Sequence, residues 1–282
     1  MCQTASQSAA APMNPILLAL PAISIYLLTA AWWGAHALRA PGELAAARPK
    51  LIACATAALL LHGTVLYQTI MIDAGLNLGF WNALSLMGWT VALMVTVAAS
   101  LRPLDALAVV LLPAAAVSLA LALIFPGQHI LPEGETAGLR IHVVLSIGAH
   151  GLLAIAAAQA VVLAIQHRLL HGRQPAPALR MLPPLQSMEQ LLMQLLALGF
   201  FLLSLSLATG FIFVSDVLAQ HLAHKTVFAV LAWLLFGTVL AGRWLRGWRG
   251  RRLLGWVLGG FGCLLLAYFG TKLVLELVLH RV

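Results

Sequence analysis

Eight long apolar runs dominate this chain and constrain its fold more than any other feature. Their approximate bounds are 16–38, 51–72, 80–101, 104–125, 139–169, 191–215, 226–240 and 253–279. A helix needs about 20 apolar residues to cross the hydrocarbon core of a bilayer, and lipid accepts only helices or closed barrels. These runs do not show the alternating pattern of a barrel. The sequence therefore predicts an all-α, polytopic membrane helix bundle with about eight transmembrane helices, forming one domain over residues 1–282.

The composition excludes a water-soluble protein. Hydrophobic residues make up 62% of the 282 residues and charged residues only 9%, whereas a soluble domain carries about 25% charge. The net charge of +8 lies mainly in short loops between the runs, where it indicates membrane orientation and does not indicate a nucleic-acid partner. The three cysteines do not form a disulfide framework.

Loop charge predicts the direction in which the helices cross the membrane. Twelve of the sixteen Lys and Arg residues follow runs one, three, five and seven. They are Arg39, Arg48, Lys50, Arg102, Arg168, Arg173, Arg180, Arg243, Arg246, Arg249, Arg251 and Arg252. Positively charged loops stay in the cytoplasm, so both termini are expected on the outer, periplasmic side, with membrane lipid as a partner.

Histidines are the main ionisable residues inside the predicted spans, and such residues mark functional sites by default. His62 lies about 17 Å from the inner face and His150 about 12 Å from the outer face, by the helical rise. His142 and His224 lie at the outer ends of their spans. Neutral imidazole binds iron, and two imidazoles can hold a haem. The alternative is that each histidine only hydrogen-bonds a neighbouring helix.

Trp81 lies in the segment FWNALSLMGW at the outer start of the third span. An aromatic ring at the headgroup level is the usual explanation, and the alternative is a platform against a flat macrocycle. The sequence contains no nucleophile elbow, phosphate loop or paired carboxylate within a span, so nothing in it predicts an enzyme. Cys-x-x-Cys-His is also absent, so any haem is expected to be held without a covalent bond.

The second half of the chain carries three segments with a family resemblance. They read MLPPLQSMEQLLMQLLALGFFLLSLSLATGFIF, HKTVFAVLAWLLFGTVLAGRWLRGWRGRR and GFGCLLLAYFGTK. This order resembles the cytochrome c assembly family of membrane proteins, whose members include CcsA and CcmC, and in particular its HemX/YpjD-like branch. The resemblance covers about residues 55–280 and includes IHVVLSIGAHGLLAIA around His142 and LLLHGTVLYQTI around His62.

The resemblance implies that the protein binds haem in the membrane and presents it outward for attachment to apocytochrome c. His142 matches the family's outer haem-ligand histidine, and His62 matches its membrane-embedded histidine. The family's tryptophan-rich segment is replaced here by SDVLAQHLAHKTV, and its second outer histidine by LAGRW. We therefore expect His142 with His224 to form an outer site, and His62 with His150 to form an inner site, for non-covalent haem b.

The sequence thus predicts a haem-binding protein of the bacterial inner membrane that is not itself an enzyme. It would act in haem handling or transport, or as an accessory factor in cytochrome c assembly, with haem and cytochrome c maturation or haem-synthesis proteins as partners. The alternative is a non-haem membrane scaffold that regulates a haem-synthesis or metal-handling partner through residues 247–252 and 171–190. A third interpretation is an electron-transfer protein of the cytochrome b type, for which the sequence shows no recognisable quinone site.

Overall fold

The computed structural model describes residues 14–39, 43–72, 75–101, 104–125, 127, 130–131, 137–170, 182–213 and 220–270. Within them are eight α-helices: α1 (Pro15–Arg39), α2 (Leu44–Ile70), α3 (Phe80–Leu101), α4 (Asp105–Ile124), α5 (Ala137–Leu170), α6 (Leu185–Phe213), α7 (Gln220–Arg246) and α8 (Arg251–Leu265). A π-helical turn, Leu266–Gly270, continues α8. All eight, the last taken with this turn, are long and apolar enough to cross a membrane. The predicted bundle of about eight spanning helices is confirmed, while the sides on which the termini lie stay a prediction.

Three helices begin six or seven residues before the apolar run that predicts them. α2 begins at Leu44, α6 at Leu185 and α7 at Gln220. The added turns carry polar residues such as Arg48 and Gln186. A helix can continue into the headgroup region, where polar side chains are solvated, so hydropathy underestimates its length.

The helices pack as two groups of four. In the first group, α1 and α3 each contact both α2 and α4; in the second group, α5 and α7 each contact both α6 and α8. α5 also contacts α3 and α4, and so joins the two groups.

Glycines allow α5 and α6 to approach closely. A Cβ atom at Gly199 of α6 would lie 2.8 Å from the side chain of Leu153 of α5, and one at Gly210 would lie 3.0 Å from the ring of His142. Small residues at helix contacts are the usual means of close packing in membranes, where burial from lipid gives little driving force. These glycines therefore determine how closely α5 and α6 pack, and the region of close packing includes His142.

A small antiparallel sheet covers one end of the first group. Its strands are β1 (Met71–Ile72), β2 (Gly75–Asn77) and β3 (Ile130–Leu131), in that order, with Met71 opposite Leu76 and Leu76 opposite Leu131. The all-helical prediction did not include it, because strands of two or three residues leave no readable periodicity. The sheet links the connection between α2 and α3 to the segment after α4, beside the start of α3.

A buried ion pair fastens the opposite end of the first group. Arg48 of α2 donates from Nη2 to both carboxylate oxygens of Asp105, at 2.9 and 3.1 Å, and the Trp33 indole N–H donates to Oδ1 at 2.8 Å. Asp105 is 8% exposed. The sequence alone gives no sign of this burial, because Asp105 lies at the edge of a predicted span. Arg48 is 25% exposed, but its loss would leave the buried Asp105 carboxylate without its cation, so the contact holds α1, α2 and α4 together.

Candidate functional site

Two of the predicted site residues, His142 and His150, lie on one face of α5 with Ser146 between them. Residues four apart in a helix lie one above the other, so these three side chains form a polar line along the helix. At 1.5 Å per residue the two histidines are about 12 Å apart along the axis. We call this line the α5 seam.

His150 has one ring nitrogen bonded and the other free. Its Nδ1–H donates to the carbonyl oxygen of Ser146 over 2.7 Å. Because a carbonyl oxygen only accepts, the neutral imidazole must carry its proton on Nδ1 and its lone pair on Nε2. That Nε2 is buried and has no hydrogen-bond partner among the described residues. A buried acceptor without a partner is uncommon in proteins and calls for an explanation.

His142 is bonded in a similar way, but to the neighbouring helix. Its Nδ1–H donates to the carbonyl oxygen of Ser206 on α6 over 2.9 Å, which again leaves the lone pair on Nε2. The Ser146 hydroxyl lies 3.5 Å from that nitrogen and is engaged more closely by the His142 carbonyl oxygen at 2.8 Å and the Ser206 hydroxyl at 2.6 Å. The imidazole is thus held by its Nδ1 edge, while Nε2 makes only a long contact.

An aromatic series runs from the α5 seam to Trp81. The ring of Tyr268, in the π-helical turn, lies 5.8 Å from the His150 ring, and Tyr268 contacts Phe269 at 5.0 Å. Phe269 contacts Phe80 at 5.4 Å, and Phe80 contacts Trp81 at 4.8 Å. The structure therefore connects the predicted tryptophan to a predicted histidine through three intervening rings.

One face of Trp81 is already covered. Its indole stacks on Phe125, with ring centres 4.9 Å apart and planes inclined by 24°. Both residues lie at the end of the bundle that carries the small sheet. Only the opposite face of the indole is left for a second flat group.

His62 is fully buried in the first group, and both of its ring nitrogens are engaged. Nε2 lies 2.9 Å from the Ser85 hydroxyl on α3, and Nδ1 lies 3.4 Å from the Tyr26 hydroxyl on α1. The Tyr26 ring also makes an edge contact with the imidazole at 5.9 Å. In either tautomer one nitrogen donates and the other accepts, so His62 bridges three helices and presents no free lone pair.

The expected pair of His62 with His150 does not correspond to the contacts that these two residues make in the structure. His62 contacts side chains of α1 and α3, whereas His150 contacts its own helix and the π-helical turn; no ring contact joins the two. His224 belongs to the first turns of α7, but its side chain lies outside the described part of the chain. Its pairing with His142 therefore stays a prediction.

The sequence alone indicates the α5 seam, although pairing the histidines by their depth does not reveal it. The spacing of His142, Ser146 and His150 places all three on one helix face. The hydrogen bond from His150 to the Ser146 carbonyl oxygen and the π-helical turn beside it had no sequence signal.

The donor set of the α5 seam fits a haem iron. A metal-bound imidazole usually donates its other ring N–H to a backbone carbonyl or carboxylate, which fixes the tautomer, and His142 and His150 both show this arrangement. Haem needs no more than two protein ligands. No group of three or more His, Cys, Asp and Glu able to hold a metal ion occurs among the described residues, so the seam suits a macrocycle-bound iron better than a bare ion.

Comparison with known proteins relates this chain to membrane proteins of cytochrome c assembly. A sequence profile described as cytochrome c assembly protein matches residues 51–279. The inner membrane protein YpjD of Escherichia coli K12 is 32% identical over 267 residues, which cover 93% of this chain and 98% of that protein; YpjD of the O157:H7 strain gives the same values. A 28.8 kDa protein in the nifR3-like 5′ region of Azospirillum brasilense is 30% identical over 141 residues, covering 49% of this chain and 52% of that protein. No solved structure matches the chain at a significant level.

Proposed function

The chain belongs to the cytochrome c assembly protein family, and from this membership we propose that it binds haem in the membrane and acts as an accessory factor in haem handling or cytochrome c assembly. It is a multi-pass protein of the inner membrane. One observation carries the proposal: the buried Nε2 of His150 has no partner among the described residues, while its Nδ1–H is held by a carbonyl oxygen. Iron-bound histidines have this bonding pattern.

His150 and His142 are the residues that would hold haem, each at its own position, because two side chains about 12 Å apart along one helix cannot bind the same iron. Haem would supply an iron that accepts an imidazole nitrogen, and as cargo it would itself be the group that is handed on. The Ser146 and Ser206 carbonyl oxygens keep both imidazoles in the tautomer whose Nε2 carries the lone pair. The ring of Tyr268 covers one side of the His150 imidazole.

Access to His150 requires a rearrangement of the groups that cover it. Its Nε2 is buried, and the ring of Tyr268 lies against the imidazole. Tyr268 belongs to the π-helical turn Leu266–Gly270, and single π-helical turns occur frequently at functional sites. We therefore place the entry of haem on the side where this turn covers α5.

An absorption spectrum of the detergent-purified protein tests the proposal most directly. Oxidised and dithionite-reduced spectra with a pyridine haemochrome assay are expected to show stoichiometric b-type haem, before or after reconstitution with haem. Ligation needs the neutral imidazole, so binding should weaken as the pH falls. The double variant His142→Ala/His150→Ala should lose the haem. A matched control is His36→Ala, which removes a histidine bonded only within α1. Absence of haem after reconstitution would contradict the proposal.

A membrane scaffold without haem is the second candidate, favoured by one observation. Arg246, Arg249 and Arg252 are exposed around the turn between α7 and α8. A protein partner at this turn would co-purify with the chain and be lost on reversing these charges. That result, together with a protein that takes up no haem, would support the scaffold in place of the haem-binding protein.

A further inference from the structure

A groove lies between the start of α6 and the arginine-rich end of α7. Its volume is about 450 Å³, and it is lined by Gln186, Gln190 and Met193 of α6 and by Arg243 and Trp244 of α7. The wall thus combines a cation, two side-chain amides and two apolar groups. The groove is at the end of the bundle that loop charge assigns to the cytoplasm, opposite to the end where α6 and α7 carry Ser206 and Lys225.

Arg243 is held in place by one of its terminal nitrogens. Nη1 donates to the Trp248 carbonyl oxygen at 3.1 Å and lies 3.8 Å from a carboxylate oxygen of Glu189. No other hydrogen bond of this guanidinium is found in the described part of the chain, and the side chain is 22% exposed. A guanidinium has five N–H donors in a planar fork, so a fixed Arg243 retains donors for a further acceptor.

The turn after α7 makes this arginine part of a rigid structure. Gly247 has φ +63, a left-handed conformation that glycine adopts without strain, and its N–H donates to the Arg243 carbonyl oxygen at 3.1 Å. The Trp248 N–H donates to the Gly242 carbonyl oxygen at 3.1 Å. A Cβ atom at Gly242 would overlap the Trp248 ring. The carbonyl oxygen that holds Arg243 is therefore fixed by the helix cap and by packing.

The surroundings of the groove match a phospholipid. Trp244 is 73% exposed and the neighbouring Leu245 is 83% exposed, which is expected of residues in contact with lipid at the membrane interface. Arg246 is exposed nearby, and Glu189 is the acidic residue paired with Arg243. Basic pockets between helices on the cytoplasmic side suit anionic headgroups, and the guanidinium fork matches phosphate oxygens.

We propose that this groove binds the phosphodiester headgroup of an anionic phospholipid of the phosphatidylglycerol type. Arg243 donates to the phosphate oxygens, Gln186 and Gln190 bond the polar headgroup, and Met193 and Trp244 contact the start of the acyl chains. The site is separate from the α5 seam and does not depend on haem binding.

Native mass spectrometry of the delipidated protein in detergent, titrated with phosphatidylglycerol, tests this site. We expect one tightly bound lipid, with Arg243→Gln weakening its binding at least about fivefold, the effect of one basic residue at an anionic surface. The matched control is Arg249→Gln, which removes the same charge outside the groove and should leave that binding within twofold. Gln190→Glu adds a negative charge at an exposed position of the wall and should weaken binding without disturbing the contacts of Arg243.

Three results would overturn the proposal. Equal losses for Arg243→Gln and Arg249→Gln would show a diffuse electrostatic attraction. Equal affinity for phosphatidylcholine would show that the headgroup charge is not recognised. Equal affinity for soluble glycerol phosphate would show a site for a free phosphate ester. If Arg243→Gln fails to fold, an unchanged affinity in the Gln190→Glu variant would also count against the site.

Discussion

The two four-helix groups each contain a histidine that the sequence places at a similar depth, but the two imidazoles are bonded differently. In the first group, His62 has a hydroxyl partner at each ring nitrogen. In the second group, His150 has a carbonyl partner at Nδ1 and a buried Nε2 without a partner among the described residues. The residue type and the expected depth are shared, but His62 is fully buried whereas His150 is partly buried, and each helix provides different neighbours.

This difference separates a structural histidine from a candidate ligand. A buried polar atom without a partner costs about 1–3 kcal/mol, so the environment of His62 stabilises the fold and that of His150 does not. Buried polar atoms without a hydrogen-bond partner are expected mainly at positions where function requires them. Under the proposed function, haem binding therefore belongs to the second group, and the histidine of the first group serves assembly of the bundle.

The largest effect is expected from His150→Ala. This change removes the imidazole whose Nε2 is available to iron and should lower haem affinity by more than about 100-fold, because even the groups that orient a ligand contribute about 10- to 100-fold. A haem titration followed by absorbance measures the change. Folding should be little affected, since His150 bonds only its own helix. An unchanged haem affinity would contradict the conclusion that His150 is a ligand and His62 is not.

His62→Ala should have the opposite effect: a loss of stability with unchanged haem binding. Tyr26 and Ser85 would lose their partner in the centre of the first group, and stability should fall by about 1–3 kcal/mol. The haem bound per folded molecule should stay the same. Unfolding in detergent by denaturant measures the first quantity and the haemochrome assay measures the second.

Tyr26→Phe is a milder change at the same contact and serves as a control for His62→Ala. It removes the longer of the two bonds, at 3.4 Å, and should cost about 0.5–1.5 kcal/mol. If His62→Ala instead lost haem as completely as His150→Ala, the first group would also contribute a ligand, in agreement with the pairing expected from depth.

The smallest effect is expected from Gly210→Ala. A Cβ atom there would lie 3.0 Å from Cε1 of His142, so the imidazole must shift by a few tenths of an ångström. Haem affinity should fall a few-fold, with a shift in the absorption maxima. Gly262→Ala in α8 is the matched control, because nothing lies within 4 Å of its Cβ position. Equal effects of the two changes would mean that His142 is not a ligand.

The sequence predicts the eight helices well because the length of an apolar run is itself the physical requirement for crossing a bilayer. The same reasoning gives the depth of each histidine through the helical rise. Depth does not determine which neighbours a side chain meets. The partners of His62 lie 36 residues before it and 23 after it, and its contacts depend on how α1, α2 and α3 rotate against one another.

Other parts of the structure are set by interactions that a linear pattern does not record. The burial of Asp105 depends on Arg48 and Trp33, both far away in the sequence. The imidazole of His150 is oriented by a hydrogen bond to the Ser146 carbonyl oxygen of its own helix. In that orientation its Nε2 meets no partner among the described residues. The sequence does indicate the histidines themselves and, through their helical spacing, the α5 seam.

The length of α5 has a further mechanical consequence. Its 34 residues span about 51 Å at 1.5 Å per residue, whereas the hydrocarbon core is about 30 Å thick. Membrane helices tilt by at most about 40°, and a helix of this length tilted so far would still extend about 39 Å along the bilayer normal. The excess must leave the hydrocarbon. The ends of α5, including the turn with His167 and Arg168, therefore extend beyond the hydrocarbon core, and a contact with this turn would act directly on the helix that carries both candidate ligands.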